Sequence, residues 1–300
     1  MLESELLEEI KKLFARSNPN LDLGIGDDGA VFNPQGKQVV VTDVAVEEVH
    51  FKCDWSSYFQ IGRKITAANL ADIFAMGGEP KYLLVALVLP NRHRSGALEI
   101  AAGIAHEADL VGATVIGGDL SSGNELTISI TAIGEVSSPI RRDGANIGDR
   151  VLISELPGAS AAGLALLKRG SENSSEIAKE LVIQHLAPKI NYQKYREASG
   201  KLNSAIDTSD GLLLDASRIA QASKVKITFF EEILKTSMLQ SVDPENYMEW
   251  VLHGGEDHKL LGTGSEKIEG FIEIGRVEAG AGIYLDNKEI SISGYEHRWS

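Results

Sequence analysis

Aspartate recurs at or just beyond the ends of apolar segments in both halves of this chain, and that repetition constrains the fold more than any other feature. Asp43 closes VVVTD and Asp119 closes VIGGD. Asp207 and Asp210 flank Thr208–Ser209 in AIDTSDG, and Glu256–Asp257 follow Gly254–Gly255. Asp27 and Asp28 lie in the polar loop GIGDDGAVF, and Asp72 is carried on a helical stretch. Taken one at a time these positions are ordinary, because aspartates cap helices and make turns; Asp210 is a natural N-cap for a helix starting near Leu212. Their repetition at strand ends matters because open sheets present ligands to the loops there. Carboxylates gathered in one cleft repel one another and are costly to keep ionised. Divalent cations remove that cost. Hard oxygen donors suit magnesium, which favours sites shared between carboxylates, waters and substrate phosphates. The pattern therefore points to Mg-nucleotide chemistry.

The periodicities place alternating elements around these residues. Residues 1–16 read as an amphipathic helix and not a signal peptide. Residues 37–42, 82–89, 114–116 and 126–133 read as strands, and 63–76 and 95–112 as helices, with Gly77–Gly78 closing the first. Around 141–150 (RRDGANIGDR) the pattern lapses into polar and glycine residues, so the expected domains are 1–145 and 146–300. In the second half, 151–154 and 204–206 read as strands. Residues 159–168 and 176–199 read as helical, and a last strand falls near 289–292. Intermixed helices and strands predict an α+β or α/β architecture.

Composition removes several alternatives. Acidic residues outnumber basic ones 43 to 29, a formal charge of −14, which argues against nucleic acid or an anionic membrane surface as partner. The apolar runs are far shorter than the ~20 residues a bilayer requires, so a cytoplasmic protein is expected. The single cysteine, Cys53, cannot form an internal disulfide, has no evident partner in the sequence and reads as structural. Gly24, Gly26 and Gly29 spell G-x-G-x-x-G. However, no apolar strand is evident before them, no helix follows, and Asp27 and Asp28 fill the turn where a pyrophosphate needs backbone donors. No P-loop is present. Arg141 and Arg142 follow an alternating strand, where a guanidinium could clamp phosphate oxygens. His50, seven residues past Asp43, is placed to face the same cleft.

In chain order, the segments GIGDDGAVF, VTDVAVEEVHF, NLADIFAMGGEP, IGGD, RRDGANIGD, AIDTSDGLLLD and HGGEDHKLL cover nearly the whole sequence. With them the chain resembles the thiamine-monophosphate kinase family. The superfamily also holds aminoimidazole ribonucleotide synthetase, selenophosphate synthetase and the hydrogenase maturation protein HypE. The resemblance implies two α+β domains of the aminoimidazole ribonucleotide synthetase-like type, the N-terminal one pairing with its twin through its sheet in a homodimer. It implies transfer of the ATP γ-phosphate to thiamine phosphate with several Mg²⁺ ions. Carried over by position, Asp27, Thr42, Asp43, Asp72, Asp119, Asp207 and Asp210 are metal ligands. Asp43, Asp119 and Asp210 are catalytic, and Gly118, Asp119, Arg142 and Ser209 contact ATP. His50, Glu256 and Tyr295 line the thiamine phosphate site.

The chain departs from the family pattern at Leu120–Gly123, at His258 where tyrosine is usual, and at Arg298. Two other readings are a different ATP-using synthetase of the superfamily and a non-catalytic Mg-nucleotide-binding homologue. Residues 1–23 lack the reactive cysteine of a selenophosphate synthetase, and the C-terminus HRWS lacks the terminal cysteine of HypE.

Overall fold

The computed structural model describes residues 3–292. The chain divides into two compact units. One comprises the residues up to Ile73 with Gly78–Ser137; the other comprises Phe74–Gly77 with the residues from Ser138 onward.

The first unit is built from helix α1 (Glu3–Phe14), the ribbon β1 (Leu21–Leu23) and β2 (Val31–Phe32), strand β3 (Lys37–Val46), helix α2 (Tyr58–Ala75), β4 (Glu79–Leu89), α3 (Ala97–Asp109), β5 (Thr114–Ser122) and β6 (Thr127–Val136). Four strands make one sheet in the order β3-β6-β4-β5, with β4 and β5 parallel and the other pairs antiparallel. Alternation along β6 buries Ile128, Ile130, Ala132 and Val136. On this face α2 sets Ile73 against Gly134. The two helices approach closely where both lack a side chain: a Cβ on Gly62 would meet Ile100 O at 2.2 Å, and one on Gly103 would meet Phe59 O at 2.1 Å. The opposite face carries Val40, Thr42, Val44, Ser129, Thr131, Ala86 and Asp119; Val40 is 60% and Val44 50% exposed.

The second unit contains β7 (Arg150–Ile153), α4 (Ala159–Arg169), α5 (Glu176–Leu186), α6 (Tyr192–Ala198), β8 (Ser204–Asp207), α7 (Leu212–Ser223), β9 (Lys226–Phe229), α8 (Glu231–Leu234), α9 (Ser237–Val242), α10 (Tyr247–His253), β10 (Leu260–Gly264), β11 (Ile272–Glu278), β12 (Gly282–Leu285) and β13 (Lys288–Glu289). Seven strands form a sheet ordered β13-β12-β9-β11-β7-β10-β8, antiparallel except for β12 beside β9. The mixture of helices with largely antiparallel sheets is α+β. The last turn of α2 belongs to this unit: Phe74 stacks on Tyr192 at 5.4 Å between ring centroids and meets Tyr195 edge-on at 6.1 Å.

Several expectations are corrected. The helical stretch 176–199 is two helices, because Pro188 bars the α conformation at Ala187 (φ −156°, ψ 84°). Ser175 Oγ accepts from Ala178 N at 3.1 Å to cap α5, and Asn191 Oδ1 accepts from Lys194 N at 3.2 Å to cap α6. A short strand, β1, does precede Gly24, but it pairs with β2 and no helix follows, so the glycines do not open a βαβ unit. Among the described residues the last strand is Lys288–Glu289, which ends at the first residue of the expected 289–292. Most consequential for the site, β3 and β5 run longer than their apolar runs, so Asp43 and Asp119 lie inside strands and not at their ends.

Candidate active site

Extension of β5 through polar residues depends on a bulge. Leu83 pairs with Val115 and Leu84 with Gly117, leaving Ile116 as the extra residue immediately before Gly117–Gly118–Asp119. Bulges of this kind re-aim the side chains that follow. Gly118 then passes so close to β4 that a Cβ would stand 1.9 Å from Val85 O. The register places Asp43, Ile130, Val85 and Gly118 in one row, and Val44, Ser129, Ala86 and Asp119 in the next. Neighbouring rows face opposite sides of a sheet. Asp43 therefore lies on the face of the buried Ile130, whereas Asp119 and Thr42 share the open face. β3 and β5 are also the two edges of the sheet, three strand spacings apart, on the order of 14 Å. One copy of this sheet does not bring Asp43 and Asp119 together.

The other residues of this unit are placed by local bonds. Thr42 Oγ1 donates to Ile130 O at 3.2 Å and accepts from Thr131 Oγ1 at 3.1 Å. Asp27 is exposed in the loop between β1 and β2, and its Oδ1 accepts from Asp28 N at 2.9 Å. Asp72 is half-buried on α2 between the fully buried Ala71 and Ile73. His50 Nδ1 accepts from Val46 N at 3.0 Å, which fixes the proton of the neutral ring on Nε2. Buried Lys64 donates to His50 O at 3.2 Å.

In the second unit two sequence motifs far apart in the chain are zipped together. Thr208 N donates to Lys259 O at 2.9 Å, His258 N to Thr208 O at 3.0 Å, and Glu256 N to Ser209 O at 2.8 Å. The loop after β8 is thereby joined to the Gly-Gly-Glu-Asp loop. A Cβ on Gly255 would meet Ser209 O at 2.5 Å, which accounts for the second glycine. Glu256 and His258 take positive φ, 61° and 49°. Asp207, the last residue of β8, is buried and lies 3.1 Å from His258 Nδ1, so the residue that departs from the family pattern holds a proposed metal ligand.

Asp210 is not the N-cap expected for α7. Asp215, in the first turn of that helix, accepts instead from Asp210 N at 3.0 Å and Gly211 N at 3.1 Å. Arg218 bridges the two acids, at 2.6 Å from Asp210 and 2.5 Å from Asp215. Burial, then the charge of Asp207, pushes the Asp215 carboxyl up to about 7, against the Asp210 N–H that favours its ionised form. Asp215 and Arg218 were missed by the sequence reading; the only available signal was an acid five residues into Asp-Gly-Leu-Leu-Leu-Asp.

Asp257, singled out in the sequence beside Glu256, ties this loop to α4, and His185 packs against it from α5; of the two only His185 was missed. Asp257 is fully buried, and its oxygens accept from Gly158 N at 2.5 Å and Ser160 N at 2.9 Å at the start of α4. Burial pushes its carboxyl upward. His185, buried on α5, lies 3.1 Å from Ser160 Oγ and 3.5 Å from Glu256 Oε2. Arg142 is exposed in a 3-10 turn whose carbonyl accepts from Ser223 Oγ at 2.8 Å. Arg141 is paired with Asp143 at 2.6 Å. Tyr295 and Arg298 lie outside the described residues.

Comparison with known proteins separates this arrangement from other carboxylate-rich folds. Residues 26–136 match the AIR synthase related protein, N-terminal domain, and residues 146–287 match its C-terminal domain. The chain is 35% identical over 285 residues to the thiamine-monophosphate kinase of Aquifex aeolicus, covering 91% of this chain and 92% of that one. The chain belongs to the thiamine-monophosphate kinase family. Among solved structures, the thiamine-monophosphate kinase of Stenotrophomonas maltophilia K279a superposes with a TM-score of 0.87 at 28% identity, covering 97% of this chain and 98% of that one. AaThiL complexed with AMPPCP and TMP superposes at 0.83 with 33% identity, covering 99% and 97%. The two matched segments together cover most of the described chain. Among the described residues no helix is long and apolar enough to cross a membrane.

Proposed function

We propose that this protein is a cytoplasmic, ATP-dependent kinase that converts thiamine phosphate into thiamine diphosphate by direct in-line transfer, with Mg²⁺ and as a homodimer. The observation that carries this reading is the near-full-length similarity to a family member whose solved structure is complexed with AMPPCP and TMP. The residue types agree with it. The acceptor is an anionic phosphate, so no strong general base is needed, and catalysis reduces to positioning the groups and neutralising charge on the moving phosphoryl.

The donors fit magnesium. They are hard oxygens throughout, and in the second unit Asp207, Asp210 and Asp215 crowd around a single guanidinium, Arg218. In the first unit the proposed ligands are Asp27, Thr42, Asp43, Asp72 and Asp119; in the second they are Asp207 and Asp210. Held by these residues, the ion would supply neutralisation of the phosphate charge. Gly118 offers bare backbone to ATP, Arg142 a fork of donors and Ser209 a hydroxyl. His50 (through Nε2–H), Glu256 and Tyr295 bind thiamine phosphate.

Two features support the homodimer. The open sheet face exposes Val40 and Val44. The two catalytic aspartates of the first unit sit on opposite edges of that sheet, so a second copy is what can bring Asp43 of one chain to Asp119 of the other.

The deciding experiment is a coupled ADP-release assay with and without thiamine phosphate and Mg²⁺. Release that depends on both is expected. Release with another acceptor and none with thiamine phosphate would instead indicate a different synthetase, and nucleotide binding without turnover a non-catalytic homologue. A phosphorylated protein trapped from labelled ATP in the absence of acceptor would refute direct transfer.

A further inference from the structure

Where the chain leaves the end of β3, it buries a carboxylate. Glu47 is 8% exposed, and its Oε1 lies 2.8 Å from Nε2 of His93 in the 3-10 turn Asn91–Gly96. The thiol of Cys53, from the segment leading into α2, donates to the same carboxylate. Cys53 therefore does have partners, contrary to the sequence reading. One ligand atom from each of Glu47, Cys53 and His93 lies within 4.8 Å of the other two. The atoms that face away are already tied down. Glu47 Oε2 accepts from Leu126 N at 3.3 Å and from Arg92 Nη2 at 2.8 Å, and His93 Nδ1 is 2.9 Å from the Tyr58 hydroxyl.

The chemistry of this set differs from that of the aspartate sites. Sulfur, imidazole nitrogen and carboxylate oxygen together suit zinc in a tetrahedral arrangement, whereas magnesium avoids sulfur. Zinc bonds of about 2.0–2.3 Å place neighbouring ligand atoms on the order of 3.5 Å apart, a span that these three side chains reach by small adjustments. The tied outer atoms are what such a site requires, since a bond to the far ring nitrogen fixes the tautomer and orientation of a metal-binding histidine.

We propose that Glu47, Cys53 and His93 form a zinc site, with water in the fourth position, that pins the end of β3, the segment before α2 and the turn after β4 to one another. On binding, the Cys53 thiol releases its proton to solvent, and neutral His93 presents its Nε2 lone pair with the ring proton on Nδ1, facing the Tyr58 hydroxyl. Thiolate and carboxylate then balance the dication. Arg92 gives up the contact of its Nε with His93 Nε2, now 3.1 Å, and keeps Glu47 Oε2.

Because Cys53 is the one cysteine of the chain, thiol chemistry reads this site alone. In the full-length protein, equimolar Zn²⁺ is expected to slow alkylation of Cys53 at least about tenfold, since the bound sulfur is no longer a free nucleophile, while Mg²⁺ leaves the rate unchanged. Co²⁺ is expected to give a sulfur-to-cobalt charge-transfer band. Zinc protection is lost in His93→Gln, and zinc affinity falls roughly tenfold in Tyr58→Phe. Equal alkylation rates with and without Zn²⁺ in the unaltered protein overturn the proposal, whether or not the variants fold. So does protection that survives intact in a folded His93→Gln.

Discussion

Gly118 and Val85 are in van der Waals conflict for any residue but glycine: a Cβ at position 118 would lie 1.9 Å from the Val85 carbonyl oxygen. Gly118→Ala must therefore push β5 away from β4 just where Asp119 is aimed. We expect a loss of about 3 kcal/mol in unfolding free energy, at the upper end of overpacking costs, together with loss of ADP release. Gly29→Ala, where nothing lies within 4 Å, is the control and should stay within about 0.5 kcal/mol. Denaturant titrations of both variants check this.

Asp43→Asn and Asp119→Asn should each lower turnover by about a hundredfold or more, as loss of a charge-stabilising group does. The edge positions of β3 and β5 add a sharper expectation. If the second copy unites these residues, an equal mixture of the two variants, refolded or exchanged, regains about a quarter of normal activity. Half of the dimers are then mixed, and each mixed dimer has one intact site. A mixture as inactive as its components places both aspartates in a single chain's site.

Raising the Asp215 carboxyl from 3.8 to about 7 means that the native state holds this proton more tightly than the unfolded chain does. Its contribution to stability is complete below about pH 4 and is lost as pH rises through about 7. In the absence of Mg²⁺, the melting temperature of the unaltered protein should fall between about pH 5 and 8 more steeply than that of Asp215→Asn, which has no proton to lose. Parallel pH profiles contradict the assignment.

Asp257 and Glu256 are neighbours with opposite expected roles. Asp257→Ala strands two buried N–H groups at the start of α4, an expected cost of about 3 kcal/mol, measured by chemical denaturation. Glu256→Gln, at a position whose side chain is 34% exposed, should leave stability within about 0.5 kcal/mol and raise the KM for thiamine phosphate about tenfold.

The elements carrying the site were legible in the sequence because their apolar periodicity is regular. The apolar runs of β3, β4 and α2 are examples, as is the Gly77–Gly78 stop, where Gly77 N bonds Phe74 O and Gly78 N bonds Ile73 O. The true ends of β3 and β5 were hidden because strands continue wherever a neighbour offers backbone partners, whatever the side chains; Gly117–Ser122 have little apolar character yet pair along β4. For the same reason no periodicity could reveal that Asp43 and Asp119 face opposite sides of the sheet. Asp215, Arg218 and His185 escaped notice because their roles depend on contacts with other elements or on a turn's geometry. Cys53 read as isolated because its partners lie on a strand end and a distant 3-10 turn.

The backbone bonds that join Thr208 and Ser209 to Glu256, His258 and Lys259 make the two loops a single cassette. Exchanging the Gly-Gly-Glu-Asp stretch for that of a relative therefore calls for transplanting Asp207–Gly211 alongside it, since either loop alone arrives without the partner it bonds to.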